Sequence, residues 1–226
     1  MKLTYYGHAC FAVETGGKNI LFDPFITPNE GAKHINVANI KADYILLSHG
    51  HNDHTADCAS IANRTGATVV ASFEVAEWAG KQGIKNTHPM NTGGKWSFDF
   101  GTVKCVSAIH SSVLPDGSYG ANPMGFVITT PEKSFYYSGD TALTMDMQLI
   151  PRWAKLDFCV LCTGDNFTMG YEDAIEAANM VQCNTVVGVH FDTFGYIKID
   201  HQKAAKAFAD AGKTLHLLEI GASIDL

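Results

Sequence analysis

The chain has 226 residues, 46% of them hydrophobic and 17% charged, with a formal net charge of −7 and a pI near 5.7. This length suffices for one domain with a sizeable core, and the acidic balance argues against a sequence-independent nucleic-acid binder, which needs a basic field. No apolar run approaches the ~20 residues of a membrane span, and the opening Met1-Lys2-Leu3-Thr4-Tyr5-Tyr6-Gly7-His8 lacks a signal-peptide pattern, so a cytoplasmic location is expected.

The first half reads as strand-rich. Lys2–Tyr6, Cys10–Glu14 and Asn19–Phe22 are short β-prone runs, the last two joined by a hairpin signal at Thr15-Gly16-Gly17. Tyr44–Leu47 is a continuous apolar run that stops at Ser48, as a buried strand does. Thr68–Ala71 is another strand candidate, and Ser72 is expected to cap a helix through Val75 and Trp78 that closes at Gly83. Trp96–Phe100, Thr102–Ile109, Met124–Thr129 and Ser134–Tyr137 suggest an antiparallel meander.

The second half alternates. Phe158–Leu161 is a probable strand carrying Cys159, with Cys162 next in line, and side chains three apart along a strand point to opposite faces. That spacing excludes joint metal ligation, and all six cysteines are expected to be reduced, buried thiols. Tyr171–Val181 carries Ala174, Ile175, Ala178 and Val181 at helical spacing. Thr185–Val189 is a buried-type strand. Asp200 caps a helix with Ala204, Ala205, Phe208 and Ala209 on one face, and Thr214–Leu218 is expected as the last strand. No internal repeat or linker is visible, so one mixed α/β domain over 1–226 is expected. Trp78, Trp96 and Trp153 are expected in the core or at its rim.

Residues 48–55, Ser-His-Gly-His-Asn-Asp-His-Thr, put His49, His51, Asp53 and His54 within six positions, directly behind a buried strand. Imidazole nitrogen and carboxylate oxygen are ligands of zinc and neighbouring divalent ions. Four further polar residues end strand-like runs: Asp23, His110, Asp140 and His190. Loops at strand ends are where rigid scaffolds place functional groups. The count fits two metals, one held by His49, His51 and His110, the other by Asp53, His54 and His190, with Asp140 between them. No cysteine joins the set, so the ions are expected to be zinc, with manganese or iron(II) as alternatives. Asp23 is expected to orient a metal-binding histidine through its other ring nitrogen. Thr55 and Thr141 invite the same reading, whereas Asp165 and Asn166 either face the substrate or form a turn. His34, His88, His201 and His216 have no partner pattern.

The order His49-x-His51-x-Asp53-His54, then His110, Asp140 and His190, resembles the metallo-β-lactamase superfamily at all seven positions. The resemblance implies a four-layer αββα sandwich with the metals at one edge. Tyr6-Gly7-His8-Ala9-Cys10-Phe11, Phe22-Asp23-Pro24-Phe25, Ser138-Gly139-Asp140-Thr141, Gly164–Gly170 and His190–Phe194 are similar to a small metal-dependent hydrolase branch. That branch is related to ascorbate-6-phosphate lactonase and, more distantly, to the N-acyl-phosphatidylethanolamine phospholipase D group. It implies hydrolysis of a small-molecule ester or lactone by a hydroxide held between two ions, with Asp53 positioning it and His8 as a proton donor or oxyanion partner. A phosphodiesterase of the same fold and a non-catalytic metal-binding protein are the competing readings. Ser111–Pro123 is expected as a short access loop.

Overall fold

Period-two alternation divides the strands between three apolar clusters. In the computed structural model, which describes residues 1–226, β1 (Lys2–Gly7), β2 (Cys10–Thr15) and β3 (Lys18–Phe22) turn Leu3, Tyr5, Phe11, Val13, Ile20 and Phe22 to one side. They turn Ala12 and Leu21 to the other. β4 (Tyr44–Leu46), β5 (Thr68–Ser72) and β6 (Thr87–Met90) extend this sheet, and β14 (Ser223–Asp225) pairs with β1, giving the order β14-β1-β2-β3-β4-β5-β6. The second sheet runs β13-β12-β11-β10-β9-β8-β7. Its strands are β7 (Lys95–Phe98), β8 (Gly101–Ser107), β9 (Met124–Thr129), β10 (Ser134–Tyr137), β11 (Phe158–Cys162), β12 (Thr185–Val189) and β13 (Thr214–His216).

The inner faces of both sheets meet in one core, where Phe22 stacks on Phe11 at 4.4 Å and meets Tyr137 edge-on at 5.5 Å. The outer face of the first sheet is covered by α2 (Cys58–Thr65) and α3 (Phe73–Lys81). That of the second is covered by α4 (Tyr171–Met180), α5 (His201–Asp210) and a 3-10 segment, Met145–Arg152. The result is the expected αββα sandwich, and no helix is long and apolar enough to cross a membrane.

The sheets share a pattern that residue identities conceal. β1 to β6 run antiparallel at β1–β2–β3 and parallel from β3 to β6. β8 to β13 repeat this, antiparallel at β8–β9–β10 and parallel from β10 to β13. An internal structural repeat therefore exists where the sequence showed none, because topology tolerates any residues that keep the period.

Other expectations need correction. The chain continues past β13 into β14, whose three residues are too few to register as a run. β6, α2 and the four-residue α1 (Asn52–Thr55) were also unread. Ala205 and Ala209 face solvent, leaving Ala204 and Phe208 as the buried stripe of α5. Ser72 stands at the α3 N-cap without a side-chain cap bond. Trp96 and Trp153 are exposed, whereas Trp78 packs beside the first outer cluster. Cys159 and Cys162 share one apolar cluster because alternation lapses at the strand's last position. Their sulfurs nevertheless have separate partners, the Thr185 and Thr141 carbonyls. All six cysteines are free and buried.

Candidate metal centre

Every residue singled out for the site stands just past a strand, at one edge of the sandwich. Asp23 follows β3, the 49–54 cluster follows β4, His110 follows β8, Asp140 follows β10 and His190 follows β12, while His8 sits in the β1–β2 turn. Asp23 and Asp140 thus occupy matching places, each after the third strand of its half. Three of these residues, His8, Asp23 and His190, adopt left-handed backbone with φ of 55°, 41° and 58°. Non-glycine residues rarely accept this conformation, and it persists where surrounding structure enforces it. Gly139, at φ +60°, lets the chain pass beside Ser48, where a Cβ would come within 2.9 Å of the serine Cβ.

The histidine rings are set by a buried carboxylate. Asp23 accepts hydrogen bonds from Ser48 N at 2.7 Å, Ser48 Oγ at 2.6 Å, Tyr137 OH at 2.6 Å and His54 Nδ1 at 2.8 Å. His54 therefore carries its proton on Nδ1 and turns Nε2 toward Asp140. The Ser48 hydroxyl has one hydrogen, given to Asp23, so its oxygen accepts from His49 Nδ1 at 3.0 Å. That leaves His49 Nε2 unprotonated, 2.8 Å from His51 Nδ1. One carboxylate thus fixes the tautomers of two histidines. Asp23 was expected to orient one ring; Ser48 and Tyr137 were missed, although Ser48 directly precedes the cluster.

The donor atoms gather in overlapping sets. Those of His49, His51 and His110 lie within 4.8 Å of one another, as do those of His8, Asp53, His54 and His190, and those of His49, His54 and Asp140. All seven expected ligands are brought together, and His8 joins the second group. Asp140 Oδ2 stands 3.0 Å from His190 Nε2, 3.2 Å from His54 Nε2 and 3.6 Å from His110 Nε2. Three of the six buried polar side-chain atoms without a hydrogen-bond partner are here: His54 Nε2, Asp140 Oδ1 and His190 Nδ1. The short approach of His54 to Asp140 is not aligned as a hydrogen bond. Buried polar atoms are rarely left unpaired, and an ion is one of the standard explanations. A set of imidazoles and carboxylates without thiolate suits zinc, manganese or iron, so the residues fit divalent metal.

The electrostatics of His49, His51 and His110 point the same way, whereas His54 holds a second proton that a bound metal would displace. Burial pushes His49 well below the ordinary histidine range, aided by His54, and lowers His51 and His110. Neutral imidazole is the ligating form. Burial works to raise Asp140, but His190 and His54 outweigh it and hold the carboxyl well below its usual range. Burial works to lower His54, yet Asp140 and Asp23 hold it well above 6.5. Asp53 is likewise lowered, its hydrogen bond from His8 and the His54 charge overcoming desolvation.

His8 lies 3.1 Å through Nε2 from Asp53 Oδ2 and 3.0 Å through Nδ1 from Thr193 Oγ1. Burial and His190 push it down to about 4. Neutral His8 bonded to an ionised Asp53 must carry its hydrogen on Nε2, so Nδ1 is an acceptor, for which the Thr193 hydroxyl at 3.0 Å is the donor in competition with its longer 3.3 Å bond to the Phe191 carbonyl. Thr193 had no role assigned from sequence. Thr55 donates to the His51 carbonyl, and Thr141 accepts from Ile109 N, so both brace ligand loops. Asp165 and Asn166 form a left-handed turn in which the Asp165 carboxylate accepts from Asn166 N.

Comparison with known proteins agrees with this fold. A profile described as the Beta-lactamase superfamily domain matches residues 18–191. A metal-dependent hydrolase of Flavobacterium johnsoniae is 55% identical over all of both chains. The structure of a metallo hydrolase from the hyperthermophilic archaeon Ignicoccus hospitalis superposes with a TM-score of 0.88 at 31% identity, over 99% of this chain and 97% of that one. An isothiocyanate hydrolase from Delia radicum gut bacteria shares the fold at a TM-score of 0.82 and 20% identity, over 100% and 99% of the two chains.

Proposed function

The chain belongs to the metallo-β-lactamase superfamily, and on that premise we propose that it is a metal-dependent hydrolase of a small-molecule ester or lactone, acting as one unit over residues 1–226. His49, His51 and His110 would hold one divalent ion and Asp53, His54 and His190 a second, with Asp140 shared, zinc being the first choice and manganese or iron the alternatives. When bound, two such ions supply Lewis-acid polarisation of a substrate oxygen and a water of lowered pKa.

The chain's own contribution rests on one observation. Of the three carboxylates in the cluster, Asp23 and Asp140 are sealed, their side chains 0% and 3% exposed, whereas Asp53 is 28% exposed. Asp53 alone reaches the mouth as an ionised acceptor. It orients the attacking water and takes its proton. Asp53 then passes that proton to the leaving group, while His8, neutral and held on both nitrogens, presents its Nε2 hydrogen beside Asp53 as a hydrogen-bond donor to the negative charge that develops on the substrate oxygen. Thr193 keeps that tautomer in place.

The test is a substrate panel of γ-lactones, p-nitrophenyl esters, thioesters and bis-p-nitrophenyl phosphate, run on wild-type protein and on Asp53→Ala and His51→Ala. Turnover of lactone or ester by the wild type, abolished in both variants, supports the reading. Turnover of the phosphate diester alone replaces it with a phosphodiesterase. Two bound equivalents of metal with no turnover of any compound replaces it with a binding protein.

A further inference from the structure

The loops that carry the cluster, residues 7–9, 23–32, 48–57, 108–123, 138–150, 163–170 and 190–197, contain no lysine or arginine. All 16 basic residues of the chain lie elsewhere. The same loops carry eight of the chain's large, exposed apolar side chains, among them Ile109, Val113, Tyr119, Phe167, Phe194 and Tyr196. Scattered exposed hydrophobics are ordinary, but a group around one site marks a binding surface.

Their connections to the cluster are direct. The Phe194 ring lies 5.3 Å from that of His8, and Phe167 meets Tyr196 edge-on at 6.1 Å. Met169 N donates to the Thr141 carbonyl at 2.9 Å, which ties the Phe167 loop to the Asp140 loop. On another side, Ser112 Oγ accepts from Gly50 N at 3.0 Å, between His49 and His51, and donates to the Gly120 carbonyl at 2.6 Å. Val113 and Tyr119 pair across that flap, and a Cβ on Gly50 would lie 3.1 Å from Gly120 Cα. Ile109 directly precedes His110 and accepts from Ala142 N at 3.0 Å.

We infer that the substrate's non-reacting part is an uncharged apolar chain or ring, held between the Phe194–Tyr196–Phe167 side and the Val113–Tyr119 flap. The inference rests on the hydrolase reading above and narrows its substrate class. A phosphate or carboxylate on the tail would find no guanidinium or ammonium partner on these loops, the Lys81 charge that reaches Asp116 belonging to α3. The same loops carry Asp116, Asp165 and Asp192, which add negative charge to this surface. Charge at the reacting group is a separate matter, since bound metal would meet it.

The test uses p-nitrophenyl acetate, butyrate, hexanoate and octanoate with zinc-loaded protein, and p-nitrophenyl hydrogen adipate as the charged counterpart of the hexanoate. The expected kcat/KM rises about two- to fourfold per added methylene and falls about tenfold or more from hexanoate to adipate. The double variant Phe167→Ala, Tyr196→Ala flattens the length dependence, while Trp96→Ala on β7 leaves it intact. Calorimetric binding of methyl n-alkyl ketones over the same lengths gives a readout that needs no turnover. A flat dependence in both series, or adipate equal to hexanoate, overturns the inference. No ester turnover with length-dependent ketone binding overturns the hydrolase reading and leaves the apolar site standing. A rim buried between two copies, shown by Tyr196→Glu converting a dimer to monomers without changing the length dependence, also overturns it.

Discussion

Replacing Asp23 with Asn keeps the side chain's shape and tests the organisation of the centre most sharply. Oδ2 of Asp23 accepts from His54 Nδ1, Ser48 Oγ and Tyr137 OH, all at 2.6–2.8 Å. The Ser48 backbone N–H already claims Oδ1 at 2.7 Å, so the new amide retains its oxygen there and places NH2 at the Oδ2 position. The two hydroxyls can rotate to accept, but His54 must move its proton from Nδ1 to Nε2. Nε2 then becomes a donor and is lost as a ligand. Rotation of the Ser48 hydroxyl also releases His49 Nδ1 from its acceptor. Loss of such an orienting partner costs about 10- to 100-fold in metal affinity, equivalent to about 1.4–2.7 kcal/mol. The assay is zinc titration of the chelated variant against a chromophoric competitor, with 15N histidine spectra reporting the tautomer. Two equivalents bound at wild-type affinity, with His54 still protonated on Nδ1, would refute the reasoning.

Phe22→Ala opens a void between Phe11 and Tyr137 and should destabilise the protein by about 3–5 kcal/mol, a fall in Tm of about 6–20 °C for a chain of this size; a loss under 1 kcal/mol in urea unfolding would contradict the packing described. In the metal-free protein His54 is held above its unfolded pKa of about 6.5, so its stabilising contribution is complete below that pH. It declines as pH rises from there through the folded value, and Tm of chelated protein should fall across that window while that of zinc-loaded protein does not. Zinc uptake at pH 7 should accordingly release a proton from His54, measurable as a dependence of the binding heat on buffer ionisation enthalpy; identical heats in phosphate and Tris would count against it. His8→Ala should lower kcat by about 10²- to 10³-fold and leave zinc stoichiometry at two. A variant that also lost one ion would show His8 to be a ligand, as its place among the donor atoms of Asp53, His54 and His190 permits.

The sequence was legible where chemistry and periodicity coincide. His49, His51, Asp53 and His54 are dense enough to read alone, and His110, Asp140 and His190 follow apolar runs whose ends mark one sheet edge. Asp23 could be read because Ile20-Leu21-Phe22 announces its strand. Tyr137 could not: within Ser134–Tyr137 it looks like any inward aromatic, and its bond to Asp23 spans 114 residues. Thr193 reaches His8 across 185 residues, a contact that only the pairing of two distant loops creates. β14 escaped notice because its three residues are stabilised by β1, far away in the chain, rather than by a pattern of their own. The structural repeat was hidden for a related reason. Its halves keep strand direction and order while their side chains differ.

The central claim is that two ions held by this cluster carry out the hydrolysis. Its most direct test is the rate of p-nitrophenyl ester hydrolysis by chelated protein as zinc is added back in known equivalents. The account predicts no turnover without metal and a rise that saturates at two equivalents per chain. Full activity in the chelated protein, or saturation at one equivalent, would contradict it.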